Sequence, residues 1–222
     1  VRLQIVETLF AASFTENEGV KTSSLKKENL FEAVKKAAKE GHESVLTFAL
    51  SNAVTTQEDG KIEVSEAELN ETIGVSFTLA AANEKENTVA ELAKRKETLT
   101  LNEESFTEEN ELNALNEDQQ SAILLAAAQH GVIQVTSALI AKYPDLSVDE
   151  ALLVASKTAD SEKVVTALAP KSTNLNVVDE NGNNALHNCI LNQGEIEEGE
   201  ETPAHISALL QRGSALYEES VE

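Results

Sequence analysis

Residues Asp179–Leu191 read DENGNNALHNCIL, and the reading of this stretch decides the fold. Asn181 and Gly182 form an Asn-Gly pair, and both residue types tolerate positive φ, so the pair marks a turn. An apolar run with helical spacing follows directly: Ala185, Leu186, Cys189 and Ile190 fall at i, i+1, i+4 and i+5 and predict one buried stripe. The stretch therefore predicts a tight turn feeding a short helix.

Working outward, the same plan recurs. Ala37 and Ala38 precede KEGHESVL, Ala81 and Ala82 precede NEKENTVAEL, and Ala127 and Ala128 precede QHGVIQVTSAL. In each, the second Ala stands seven residues before a Val: Val45, Val89 and Val135. A fourth copy, DEALLVASKTADSEKVVTAL, has one more residue before Val164, and HISALLQRGSAL completes the opening stretch after an insertion. Anchored on Ala38, Ala82, Ala128, Ser156 and Ile190, the spacings are 44, 46, 28 and 34.

These residues resemble the ankyrin repeat family, whose period is about 33 residues. NGNNALHNCI is similar to the family's opening signature at Gly182, Leu186 and His187, with Asn184 and Ala185 where the family has Thr-Pro. Gly41, His42 and Val45, and Gly131 with Val135, match the turn and second helix of a unit. The resemblance implies an all-α fold, a solenoid of stacked antiparallel helix pairs with short β-hairpin or loop insertions. It also implies that His42 and His187 are structural hydrogen-bonders tying adjacent turns. The expected organisation is a single repeat domain over 1–222: an N-terminal cap or partial repeat at 1–23, then repeats at 24–60, 61–115, 116–146, 147–178 and 179–217.

The chain has 222 residues and a formal charge of −22, the acidic excess being shared about evenly by the two halves. Such a balance disfavours contact with nucleic-acid backbone or anionic membrane, both of which need positive charge. It favours solubility, a monomer, and, if it selects a partner at all, a basic one. The lone Cys189 cannot form an internal disulfide, and no segment reads as a signal peptide or an apolar span, so a cytoplasmic location is expected. The sequence contains no Met, which reads as a fragment or a processed product.

The elements between the repeat motifs carry their own expectations. Residues 1–12 have the spacing of an amphipathic helix, and 13–28 read as a polar connection. Lys35, Lys36 and Lys39 read as a solvated helix face. Asp59-Gly60 predicts a two-residue hairpin, and 55–66 also resembles half of a calcium loop, with Thr55 and Gln57 where carboxylates belong. Ser65-x-x-Glu68 and Ser147-x-x-Glu150 read as capping boxes, Asn116 as an N-cap, and Thr202-Pro203 as cap and first helical residue. In the insertion 97–116, Leu99 and Leu101 alternating with Thr98 and Thr100 suggest a strand, and Thr107 opens a capped turn. GEIEEGEE, from Gly194 to Glu201, reads as a solvated acidic block.

No nucleophile–base constellation, phosphate-cradling glycine loop or metal-ligand spacing is present; His42, His130, His187 and His205 stand apart in sequence. Cys189 reads as packed. No cofactor, metal or catalytic role is expected. The function implied is a protein–protein interaction module, an adaptor or scaffold, binding through its concave face and inter-repeat loops. The partner-binding candidates are Asp59, Gly60, Lys61, Asn181 and Asn183 on loops, with Asn188 and Asn192 as outward polar residues. Two other readings stand beside it: the targeting or regulatory part of a larger enzyme or bacterial effector, acting in a host cytoplasm, and a calcium-responsive protein through the loop at 55–66.

Overall fold

A computed structural model describes residues 14–17, 20–23, 27–54, 62–193 and 201–219. The predicted helix at 1–12 and most of the acidic block at 194–201 lie outside them. The protein is built mostly of α-helices and forms two compact units, residues 1–114 and 115–222. Each is taken by itself.

The first unit contains α1 (Lys27–Glu40), α2 (Glu43–Ser51), α3 (Glu66–Ala82) and α4 (Glu86–Ala93). Leu30, Val34, Ala37 and Ala38 recur at helical spacing in α1 and are buried, which sets the face that meets the next helices. α1 packs on α2 and α3, α3 on α4, and α2 on α4. α3 is buried on nearly all sides, from Leu69 to Ala81. It starts at the predicted capping box: the Glu68 N–H donates to Ser65 Oγ, and the Ser65 N–H to Glu68 Oε2, both at 3.3 Å.

The turns between paired helices share one hydrogen-bond pattern. The Gly41 N–H donates to Ala38 O and the His42 N–H to Ala37 O; Glu84 and Lys85 repeat this on Ala81 and Ala80; Gly131 and Val132 repeat it on Ala128 and Ala127. Gly41, Glu84 and Gly131 have φ of 74°, 56° and 67°. A left-handed residue whose successor bonds back across the last helical turn is the Schellman close of a helix. Four and five residues beyond each left-handed residue come the first inward side chains of the second helix: Val45 and Leu46, Thr88 and Val89, Val135 and Thr136. The second copy is thereby shifted by one from the spacing expected: Ala81, not Ala82, matches Ala38 and Ala128.

The second unit contains α5 (Glu117–His130), α6 (Ile133–Lys142), α7 (Asp149–Lys157), α8 (Glu162–Leu168), α9 (Ala185–Gln193) and α10 (Ala204–Glu219), with a 3-10 turn at Ala169–Lys171. α5 packs on α7 and α7 on α9, while α6 packs on α8 and α8 on α10; within pairs, α5 meets α6, α7 meets α8, and α9 meets α10. Asn116 caps α5 as expected, accepting from the Gln119 N–H at 2.9 Å.

Several expectations are corrected. The connection at 13–28 holds an antiparallel ladder, β1 (Phe14–Asn17) with β2 (Val20–Ser23), in which Asn17 faces Val20. The hairpin expected about Asp59-Gly60 is not what its flanks form: β3 (Ala53–Val54) pairs with β4 (Ile62–Glu63) in parallel. A two-residue turn reverses the chain and cannot join strands that run the same way. Residues 55–61, with Asp59, Gly60, Lys61 and most of the calcium-loop reading, lie outside the described residues. Ser147 does not cap α7; its N-cap is Val148, without a side-chain bond.

The strand expected at Leu99 to Leu101 is not formed. The segment lies on a helix instead, the Thr100 N–H donating to Asn70 O of α3 at 2.9 Å. Leu99, Leu101, Phe106 and Leu112 of this insertion are all buried.

Candidate functional site

The stretch from Asp179 is organised by one carboxylate. Asp179 Oδ1 accepts from the backbone N–H groups of Asn181 (2.9 Å) and Asn183 (3.0 Å), and Oδ2 accepts from Asn188 Nδ2 at 3.2 Å. Lys157 Nζ stands 3.6 Å from Asp179 and 3.1 Å from Glu180. The Asp179 side chain is only 3% exposed. Burial pushes its pKa up, but the N–H groups of Asn183 and Asn181, the Asn188 amide and Lys157 together hold it below the ordinary carboxylate value. Gly182 closes the turn at φ 79°, its N–H on Asp179 O at 3.0 Å.

Asn184 then caps α9, accepting from the His187 N–H at 3.1 Å, while the Asn184 N–H donates to His187 Nδ1 at 3.4 Å. This is a capping box with His in place of Glu or Gln. The bond between the His187 ring and the Asn184 N–H is thus made inside its own turn, whereas the resemblance implied a tie to an adjacent turn. The His42 backbone belongs to the helix-closing turn described above.

The predicted stripe of α9 is rotated. Ala185, Asn188 and Cys189 face inward, Leu186 is half-buried, and Ile190 is 53% exposed. Asn188 is therefore not an outward residue: its amide is committed to Asp179. Asn192 lies on the surface with its amide donating to Ser156 O at 2.8 Å. Of the seven partner-binding candidates, the structure brings Asn181 and Asn183 together on one surface turn, and three lie outside the described residues.

A cavity of about 230 Å³ opens where the α7–α8 turn meets α9 and α10, with Ser161, Glu162, Cys189, Asn192 and His205 on its wall. Burial pushes the Cys189 thiol up to about 11, with Glu162 adding to it, and pushes His205 down against the opposing charge of Glu162. A thiol raised in this way stays protonated at neutral pH and is not the thiolate that a cysteine nucleophile needs. The buried Ser161 Oγ has no hydrogen-bond partner among the described residues.

Within the first unit, a cavity of about 360 Å³ is lined by six glutamates (28, 32, 68, 71, 104 and 109) with Lys35. Lys27 Nζ lies 2.7 Å from Glu68, and with the Ser65 hydroxyl it lowers the Glu68 pKa to about 2. The insertion forms one wall: Glu111 pairs with Lys39, Asn110 Oδ1 accepts from Lys35 at 3.4 Å, and the Ser105 hydroxyl donates to Glu71 at 2.9 Å. The lysine cluster is therefore only partly a solvated face. The Lys35 side chain, which also pairs with Glu32, is 12% exposed.

One structural residue had no counterpart in the sequence reading. Asp149 in the first turn of α7 accepts from Ser172 Oγ (2.7 Å), the Thr173 N–H (2.9 Å), Thr173 Oγ1 (2.9 Å) and the Asn174 N–H (3.2 Å). It fastens the segment that leads into the Asp179 turn. Its only trace in the sequence was an acid in a first helical turn, which the helix dipole alone would explain.

Among the described residues, no group of three or more His, Cys, Asp or Glu side chains is arranged to hold a metal ion, and no helix is long and apolar enough to cross a membrane. Comparison of the chain with protein-family models, with curated proteins and with solved structures found no match in any of the three.

Proposed function

We propose that this chain is a protein–protein interaction module, a stack of ankyrin-like helix pairs that offers its inter-pair turns to a protein partner. The observation that carries the reading is the packing of the second unit. First helices lie on first helices and second on second, α5–α7–α9 and α6–α8–α10, as in a solenoid where each pair contacts only its neighbours. The helix close repeated at Gly41, Glu84 and Gly131 supports it, because the same backbone hydrogen bonds join the helices of three pairs.

The turn at 179–184 is the best candidate for contact. Its backbone is fixed by Asp179, while the Asn181 side chain is exposed and that of Asn183 half-exposed, so little conformational freedom would be lost on binding. On α1 and α3, Lys35, Lys39 and Glu71 are each bonded to the chain's own insertion, at Asn110, Glu111 and Ser105.

The test is affinity capture with the full chain as bait at low and high salt, beside the Asn181→Ala/Asn183→Ala variant. A protein retained at high salt and lost with the variant supports the reading. Capture limited to basic proteins, released by salt and indifferent to the variant, overturns it, since the acidic charge alone would then be acting.

A further inference from the structure

The cavity of about 230 Å³ where the α7–α8 turn meets α9 and α10 is walled by polar groups that the fold leaves unpaired. Ser161 is 1% exposed, and its Oγ has no hydrogen-bond partner among the described residues. An unpaired buried hydroxyl costs about 1–3 kcal/mol, a loss that a guest bonded to it removes. Asn192 gives its amide N–H to Ser156 O at 2.8 Å and keeps Oδ1 as an acceptor. Glu162 adds a carboxylate without an ion pair or hydrogen bond among the described residues.

That carboxylate sets the charge of the cavity. Lys157 also stands on the wall, but its Nζ is held at the neighbouring turn, 3.1 Å from Glu180 and 3.6 Å from Asp179. Burial pushes the Cys189 thiol up and the His205 ring down, which favours the uncharged form of both, and the charge of Glu162 reaches each of them. Ala155 and Val165 supply apolar wall. A single water needs only about 10–15 Å³ of such space, so a short alkyl chain with a polar head has room.

We propose that this cavity is a binding site for an alkylammonium group, the side chain of a partner's lysine or a free primary amine. A neutral guest would leave the Glu162 charge unanswered, and an anion would meet it. The acceptors stand on α8 (Glu162), on the turn before it (Ser161) and on α9 (Asn192). Acceptors spread over separate elements suit a compact ammonium with three rotatable donors, whereas a planar guanidinium asks for a matched pair in its own plane. The charge of −22 raises the concentration of cations around the whole chain, and the cavity selects among them. Occupation by a partner's lysine rests on the interaction-module reading; occupation by a free amine does not.

The experiment follows the backbone amide signals of the isotope-labelled full chain by NMR, at physiological ionic strength. The probes are n-butylammonium, N-acetyl-lysine methylamide and, as the uncharged control, N-acetyl-norleucine methylamide. The expected result is saturable shifts at Ser161, Glu162, Cys189 and His205 with an ammonium probe and none with norleucine. Glu162→Gln should weaken the binding at least about tenfold, and Ser161→Ala at least about twofold, the worth of one modest hydrogen bond. Glu117→Gln, which removes the same charge from an exposed site on α5, should leave it unchanged. The spectra of the variants also report whether each is folded. Saturation by butylammonium alone assigns the site to a free amine, and saturation by the lysine probe extends it to a protein side chain. If butylammonium binds but no protein is captured, the cavity stands and the module reading falls. The proposal is overturned if neither ammonium probe saturates, if the shifts are confined to the six-glutamate cavity of the first unit, or if Glu117→Gln weakens binding as much as Glu162→Gln.

Discussion

A Cβ on Gly74 would lie 2.0 Å from the carbonyl oxygen of Thr100. Gly74 sits in the middle of α3, and the chain at Thr100 is pressed directly against the helix backbone there, one turn from the bond between the Thr100 N–H and Asn70 O. A glycine inside a helix ordinarily weakens it, so its presence here marks a close approach of two backbones.

The sign of one substitution therefore tests the position of the insertion. Gly→Ala inside a helix normally stabilises by about 0.5–1 kcal/mol. Gly74→Ala is expected to destabilise, by about 1–3 kcal/mol or more, because the opposing atom is backbone and cannot rotate away. Denaturant unfolding measures it, and a stabilised variant would mean that residues 99–101 do not lie on α3.

The left-handed turn residues give a reciprocal pair. Glu84 at φ 56° has a side chain where Gly41 and Gly131 have none, at a conformational cost of about 1–2 kcal/mol. Glu84→Gly should stabilise by up to about 1 kcal/mol, and Gly131→Ala should destabilise by a similar amount. Shifts in urea midpoint read both. Equal signs would show that the two positions do not share one turn geometry.

Leu186 separates the rotated register of α9 from the stripe read in the sequence. A core leucine truncated to Ala loses about 2–5 kcal/mol, which is expected at Leu124 and Leu152, both almost fully buried. Leu186, half-buried on the groove, should lose less than about 2 kcal/mol by the same scale. Parallel denaturation of the three Ala variants checks the order, and a Leu186 loss equal to that of Leu124 would restore the expected stripe.

That register shows what could be read from sequence and what could not. Turns closed by glycine, Gly41 and Gly131, were legible because their chemistry is local. The second turn was misplaced by one residue because Glu84, which no rule marks as left-handed, holds the equivalent position. In α9 the helix was legible but its face was not: Asn188 looks outward by residue type, and only the buried Asp179 carboxylate nine residues earlier makes it an inward one. The alternation at Leu99 and Leu101 suggested a strand, and the structure has none there, although both leucines are buried. That the segment packs on a helix instead depends on Gly74, 25 residues before Leu99 and silent by itself. At the candidate site, the surface turn at 181–183 was legible from Asn-Gly. The exposure of Ile190, Leu191 and Leu210 on the last pair was not, since it depends on which side chains the fold leaves uncovered.

Acid should weaken the second unit in two steps. Burial lowers the His205 pKa below its ordinary value, so the unfolded chain takes up a proton at higher pH than the folded one, and stability falls as pH drops through the ordinary His range near 6.5. The carboxylates act lower. Burial alone would raise Asp149, but the Ser172 and Thr173 hydroxyls and the N–H groups of Asn174 and Thr173 hold it below its ordinary value of 3.8. A depressed carboxylate contributes stability that is present above its unfolded pKa and lost as pH falls through the folded one. Asp149→Asn should therefore cost about 1–3 kcal/mol at neutral pH, from weakened bonds to four donors, and that difference should shrink below about pH 4 as the parent is protonated. His205→Gln should remove the upper step and leave the lower one. Thermal melts of the parent and both variants from pH 8 to 3 decide the assignment. A constant gap between parent and Asp149→Asn would show that the carboxylate's charge contributes nothing, and an upper step that survives His205→Gln would assign it to another group.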